Sequence, residues 1–234
     1  TIYNYDYYPK HMEKLGGWVK DNDYVEYRLD VPETAPEKYT KIAEMVEKRY
    51  NLHARKLTKK EIFEGGYGKK LFDLINVTYS HLYGFSELSE RQIDQYVKMY
   101  FPLADLDLIT VVEDGNKDNQ LVGLAITIPS LTRALQKCHR GRLFPFGWWH
   151  LLRAIKFHKT EVVDLLLIGV LPEYRSKGAN SLVFADLIPR YVKYGFKWGE
   201  THVEMETNES VQSQWGPLDP TMHKKRRCYR KAIG

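Results

Sequence analysis

The stretch from Val162 to Gly195 constrains the fold of this chain more than any other. It opens on an apolar run, Val162 to Val170, broken only by Asp164 and Gly169. A run this β-branched, and shorter than a usual helix, reads as a strand buried in a sheet. Leu171-Pro172-Glu173 stops it, because proline has no N–H to give to a ladder. A basic turn containing Gly178 follows. Leu182, Val183, Ala185, Leu187, Ile188, Tyr191 and Val192 then recur at helical spacing. The expected piece is strand, turn, helix.

That arrangement suits an anion. The first turn of a helix leaves backbone N–H groups without intrahelical partners, at the positive end of the helix dipole. A glycine lets a ligand come close to the backbone, and Arg175 and Lys177 add charge. A phosphate or pyrophosphate fits such a turn. An ordinary solvated basic turn is the other reading of the same residues.

Val170-Leu171-Pro172-Glu173-Tyr174-Arg175-Ser176-Lys177-Gly178-Ala179 resembles the acetyl-CoA-binding motif of the GCN5-related N-acetyltransferase (GNAT) superfamily. That motif is (Gln/Arg)-x-x-Gly-x-(Gly/Ala) after a strand ending in Val-x-Pro. Arg175, Gly178 and Val170-x-Pro172 match it, while Asn180 stands where the family has Gly or Ala.

The flanking elements follow the order of that family. His53 to Leu57 reads as a first strand. Two helices come next: Lys69 to Tyr83, and one from a capping box at Ser89-Glu90-Arg91-Gln92 to Phe101-Pro102. Leu108 to Glu113 and Gln120 to Ile128 read as a strand hairpin, with Gly123 marking a bulge or close packing. Gly65-Gly66-Tyr67-Gly68-Lys69-Lys70 lacks the Gly-Lys-(Ser/Thr) ending of a phosphate loop and reads as a turn before a helix. After the opening motif, Trp198 to Glu206 alternates as one strand, Val211 to Trp215 is a short helix, and His223 to Ile233 is a basic closing strand. The resemblance spans about residues 52–234. It implies an α+β, three-layer fold: a central, mostly antiparallel twisted sheet with helices on both faces.

Residues 34–51 are expected to be a linker helix. Residues 1–33 hold a short helix ending at Gly16-Gly17, then a strand from Val19 to Leu29. Glu13-Lys14-Leu15-Gly16-Gly17-Trp18 followed by a strand resembles the last helix and strand of a domain of the same superfamily. One expectation is therefore that 1–33 is the tail of a preceding GNAT-like repeat in a longer chain; an unrelated N-terminal hairpin is the other. Residues 130–161 form an insert, with helical patterns at 131–138 and 150–158 around an aromatic, basic loop from Gly141 to Trp149. It can shape an acceptor pocket, cover the sheet, or lie on a membrane surface.

Composition narrows the class. The net charge of +5, from 35 basic and 30 acidic residues, suits an anionic small ligand but is too small to argue for nucleic acid. Cys138 and Cys228 have neither metal spacing nor a disulfide framework, so no metal is expected and a reducing cytoplasm is the expected compartment. No apolar run approaches the ~18 residues that a membrane helix needs.

The resemblance implies an acyl-CoA-dependent N-acyltransferase using acetyl-CoA as co-substrate and a small amine or amino-acid-like acceptor. It implies that Leu167, Ile168, Gly169 and Val170 pair with the pantetheine arm, with a backbone N–H near Ile168 facing the thioester carbonyl. Arg175, Ser176, Lys177, Gly178, Ala179, Asn180 and Ser181 would hold the pyrophosphate, and Asn208 would contact CoA. The family often has a tyrosine seven positions after that asparagine to protonate the thiolate. Trp215 occupies this position, and indole N–H is far too weak an acid. Tyr229 is the candidate replacement. Glu204 is the candidate base, with Glu206, Asp164 and His202 as further candidates by location. The competing readings are a GNAT-fold binding or regulatory module without acetyl transfer, and a long-chain N-acyltransferase.

Overall fold

The computed structural model describes residues 3–233; residues 1, 2 and 234, the outermost ends of the expected 1–33 and 52–234 segments, lie outside it. In chain order the elements begin with α1 (Tyr7–Lys14), β1 (Trp18–Asp30), α2 (Glu37–Tyr50), β2 (Leu52–Arg55), α3 (Lys59–Phe63), α4 (Tyr67–Tyr79) and α5 (Glu90–Tyr100). The hairpin β3 (Ile109–Asp114) and β4 (Gln120–Pro129) follows, then α6 (Thr132–Gln136) and α7 (Gly147–Phe157) of the insert. The opening stretch becomes β5 (Val162–Val170), α8 (Pro172–Arg175) and α9 (Ala179–Tyr194). The chain closes with β6 (Trp198–Thr201), β7 (Glu204–Met205), α10 (Glu209–Gln212) and β8 (Thr221–Lys231).

The strands form one sheet in the order β2-β3-β4-β5-β6-β1-β7, with β8 also on β1. All pairings are antiparallel except β5 with β6. Alternation along β3 and β4 sends side chains to opposite faces. Val112 and Ala125 join a core with α2 and α9, whereas Val111 and Leu124 join a second core with α4 and α5. These two cores make the three layers. Each fully buried Leu or Ile of α9, such as Leu182, Leu187 and Ile188, contributes about 1.5–3 kcal/mol of apolar burial. The expected fold class, a mostly antiparallel sheet with helices on both faces, is the one observed.

Two details differ from the pattern reading. The stretch 198–206 is not one strand. It breaks at His202-Val203 into β6 and β7, because only β6 pairs with β5 while both lie along β1. A further helix, α3, lies between β2 and α4. It is announced by Thr58 and Glu61, which cap each other across its first turn.

Strand β1 lies inside this sheet, with β6 and β7 along one edge and β8 along the other. Residues 18–30 therefore complete the sheet that begins at β2.

Candidate functional site

The cleft follows from the break in the 198–206 stretch. Strands β5 and β6 run parallel from Val162–Trp198 to Leu165–Thr201, and the His202 N–H still donates to the Leu165 carbonyl. Beyond that point the chain stays on β1 as β7 and leaves β5, so a wedge opens between Leu166–Val170 and Thr201–Met205. Its volume is about 320 Å³, and α4, the following loop and α10 with Trp215 close its other sides. On its far edge β5 pairs with β4, shifting register at Leu166. A bulge at this point turns the following residues.

The edge of β5 that faces the wedge has no strand partner there, and side chains satisfy its backbone groups. The Ile168 N–H donates to the Tyr79 hydroxyl (3.2 Å), and that hydroxyl donates to the Ile168 carbonyl (3.0 Å). Arg175 Nε donates to the Val170 carbonyl at 3.0 Å. Both backbone positions that a ligand strand would use are therefore presented to the cleft and capped by side chains. Burial pushes the Tyr79 phenol up to about 12, so it stays a donor at neutral pH. Gly169 lets α4 come this close, since a Cβ there would stand 2.8 Å from Thr78 Oγ1.

Glu204 faces this edge from β7. It is 8% exposed. Its Oε1 accepts from Trp215 Nε1 at 2.9 Å, and its Oε2 has no hydrogen-bond partner among the described residues. Burial raises the carboxyl from 4.5 to about 7, and the hydrogen bond from Trp215 works against that rise by favouring the carboxylate. Trp215 is itself held edge-on against Phe184 of α9, and the Tyr39 hydroxyl of α2 donates to the neighbouring Gln214 carbonyl at 2.6 Å. Gln212 Nε2 donates to the Met205 and Glu206 carbonyls, pinning α10 to β7. A buried carboxyl that lines a cleft, has one oxygen without a partner and is raised toward neutral pH has the properties a general base needs.

Of the expected residues, Leu167, Ile168, Gly169, Val170, Arg175, Asn180, Glu204 and Asn208 line this cleft. Ser176, Lys177, Gly178, Ala179 and Ser181 lie in the turn and at the start of α9, outside its lining. The Lys177 ammonium sits over the Tyr174 ring at 4.3 Å. Gly178 has φ +84°, and a Cβ there would meet Ile42 of α2 at 2.9 Å, so the turn needs glycine for its backbone and its packing. Arg175 reaches inward to the β5 edge, not outward along the turn. Tyr229 lies opposite Lys20 on β8 and is not among the described residues that line the cleft. Glu206 is exposed and paired with Lys20 and Lys225, which hold its carboxyl below the usual range. Asp164 lies lower on β5, raised by burial. His202 lines the cleft beside Thr201.

Sequence reasoning missed Tyr79. It falls at the end of an amphipathic helix, and only the packing of α4 on β5 shows that its hydroxyl meets Ile168.

No family model matches the chain. A bacterial ceramide synthase of Caulobacter vibrioides is 22% identical over 93% of the chain, which spans 56% of that relative's length. A GCN5-related N-acetyltransferase from Sphaerobacter thermophilus superposes on 95% of the chain and 55% of its own, with a TM-score of 0.59 and 10% identity. A tandem GNAT protein from the clavulanic acid biosynthesis pathway covers 96% of the chain, which spans 58% of it, with a TM-score of 0.50 and 12% identity. The chain has the GCN5-related N-acetyltransferase fold, and it spans about half the length of the ceramide synthase and of these two structures.

Proposed function

We propose that this chain, built on the acyl-CoA N-acyltransferase fold, transfers an acyl group from acyl-CoA to an amine. The observation that carries the reading is the wedge itself. An open strand edge, at Ile168 and Val170, faces a buried carboxyl that titrates near neutral pH. A pantetheine arm is an extended diamide, and it pairs with such an edge as a strand would. The start of α9, beside Asn180, supplies the dipole end for the pyrophosphate. Asn208 is read as a second contact to CoA.

In the proposed reaction Glu204 takes a proton from the acceptor ammonium. The freed amine nitrogen then bonds to the thioester carbon, the C–S bond breaks, and the thiolate leaves and takes up the second proton that the nitrogen sheds as the amide forms. A hydrogen bond from the Ile168 N–H or the Tyr79 hydroxyl would stabilise the oxyanion. Trp215, which cannot protonate a thiolate, is read as the residue that positions Glu204. The proposed donor is acetyl-CoA and the proposed acceptor a small amine or amino-acid-like molecule. A second reading is a long-chain donor, suggested by the bacterial ceramide synthase among the chain's relatives.

Thiol release from acetyl-, octanoyl- and palmitoyl-CoA against a panel of amines tests both readings. Release with acetyl-CoA supports the first, and release only with the long donors supports the second. CoA binding with no thiol released from any donor would leave a binding module and remove the enzyme reading.

We also read β1 as a strand supplied by a preceding GNAT-like repeat, since it pairs with β6, β7 and β8 at the opposite end of the sheet from β2. The upstream coding sequence tests this: an acetyltransferase-like domain there supports it, and any other sequence removes it.

A further inference from the structure

The insert at residues 130–161 takes no part in the cleft and has an unusual surface. Its base is fixed. His158 Nε2 lies 2.7 Å from Asp105 Oδ2, and the His158 ring stacks on Tyr194 at 3.9 Å. Ala134, Cys138 and Ala154 are buried. Its outer part is not covered: Phe144 is 78% exposed and Phe146 73%, and Leu135, Leu143, Trp148, Trp149 and Phe157 are exposed as well. The rings form a row, with Trp148 5.8 Å from Trp149 and Trp149 6.3 Å from Phe157.

Charge is concentrated in the same segment. Residues 130–161 hold seven Lys and Arg against the single Glu161, a net +6, whereas the whole chain is +5. The remaining residues therefore sum to −1. On α7, Trp149, Arg153 and Phe157 fall four residues apart and share one helix face. Arg153 also lines a hollow of about 340 Å³ with Arg133, Lys137, His150 and Lys159. The one acid there, Glu161, is engaged by Lys197 Nζ at 2.6 Å and Arg133 Nη1 at 3.6 Å.

We propose that this insert docks on an anionic phospholipid bilayer. The hollow takes a phosphate-bearing headgroup, and Phe144, Phe146 and the Trp148–Trp149 row enter the interface. Aromatic rings with a polar edge settle at that depth, and clustered Lys and Arg draw the surface to anionic lipid. A nucleic acid would use the charge and the rings, but it has no use for the exposed aliphatic Leu135 and Leu143. The inference rests on the insert alone and does not depend on acyl transfer.

Flotation of the full chain with phosphatidylcholine vesicles, or with vesicles containing about one third phosphatidylglycerol, tests it. Binding is expected to the anionic vesicles only and to weaken with salt. Each basic side chain removed from the hollow, as in Arg153→Gln or Lys137→Gln, should lower the partition coefficient about fivefold. The double variant Phe144→Ser/Phe146→Ser alters two side chains at the surface and should float poorly while keeping the parent's circular dichroism and melting temperature. No flotation with either vesicle, equal flotation with both, undiminished flotation of the double variant, or release of the bound protein by an RNA oligonucleotide at equal phosphate concentration would each overturn the proposal.

Discussion

Replacing Glu204 by glutamine should make the protein more stable and less active, and the stability gain should depend on pH. The carboxyl is raised from its ordinary 4.5 to about 7 because it is buried. At about 1.4 kcal/mol per pH unit, holding the carboxylate inside the fold costs roughly 3 kcal/mol relative to the unfolded chain. Between these two pH values the folded state keeps a proton that the unfolded state has released. Stability therefore falls as pH rises through that window. Below about 4.5 both states are protonated and the cost vanishes, while above about 7 it is present in full. Glutamine keeps the shape and an acceptor for Trp215 but cannot ionise. Glu204→Gln should melt like the parent near pH 4.5, and at about pH 8 it should melt roughly 6–12 °C higher, given the size of the chain. Its thiol release should fall about 10²- to 10⁴-fold, the usual contribution of a positioned base, at about pH 8, where the parent's carboxylate is ionised, and by less toward about pH 5. Thermal melts at three pH values and a thiol-release assay read both effects. A melting difference independent of pH would refute the buried carboxyl, and turnover close to the parent's would refute its role as base.

Trp215→Phe removes the indole donor that favours the Glu204 carboxylate. The rising limb of the pH–rate profile should move to higher pH, and an unmoved midpoint would mean that Trp215 only fills space. Tyr79→Phe uncaps Ile168 and removes a donor. CoA should bind more tightly while kcat falls about 10- to 100-fold, and calorimetry with steady-state kinetics would show whether the two effects separate. Gly169→Ala puts a methyl 2.8 Å from Thr78 Oγ1 and should cost about 1–3 kcal/mol in urea denaturation. An unchanged midpoint would show that α4 yields without strain.

How far the sequence reached depends on where the information lies. The β5–α9 segment was legible because apolar run, proline stop and helical spacing are local signals, and Gly178 satisfies both a backbone and a packing need. The layers followed from alternation in β3 and β4. Glu204 is a candidate by location, yet nothing local separates it from Glu206, two residues away on the same expected face. Burial against Trp215 separates them, as does the exposed pairing of Glu206 with Lys20 and Lys225. The split of 198–206 was hidden for the same reason: it is set by β1, whose pairing partners lie some 170 residues further along the chain. Tyr79 was out of reach because its partner is backbone, which carries no sequence signature.

A structure solved with CoA present tests the central claim directly. The account predicts the pantetheine arm along the open edge of β5, its amides paired with Ile168 or Val170 and its pyrophosphate at the start of α9. It also predicts the Tyr79 hydroxyl drawn away from Ile168, with Glu204 facing the sulfur. CoA bound elsewhere, or a wedge in which Tyr79 still bridges the Ile168 backbone at saturating CoA, would contradict it.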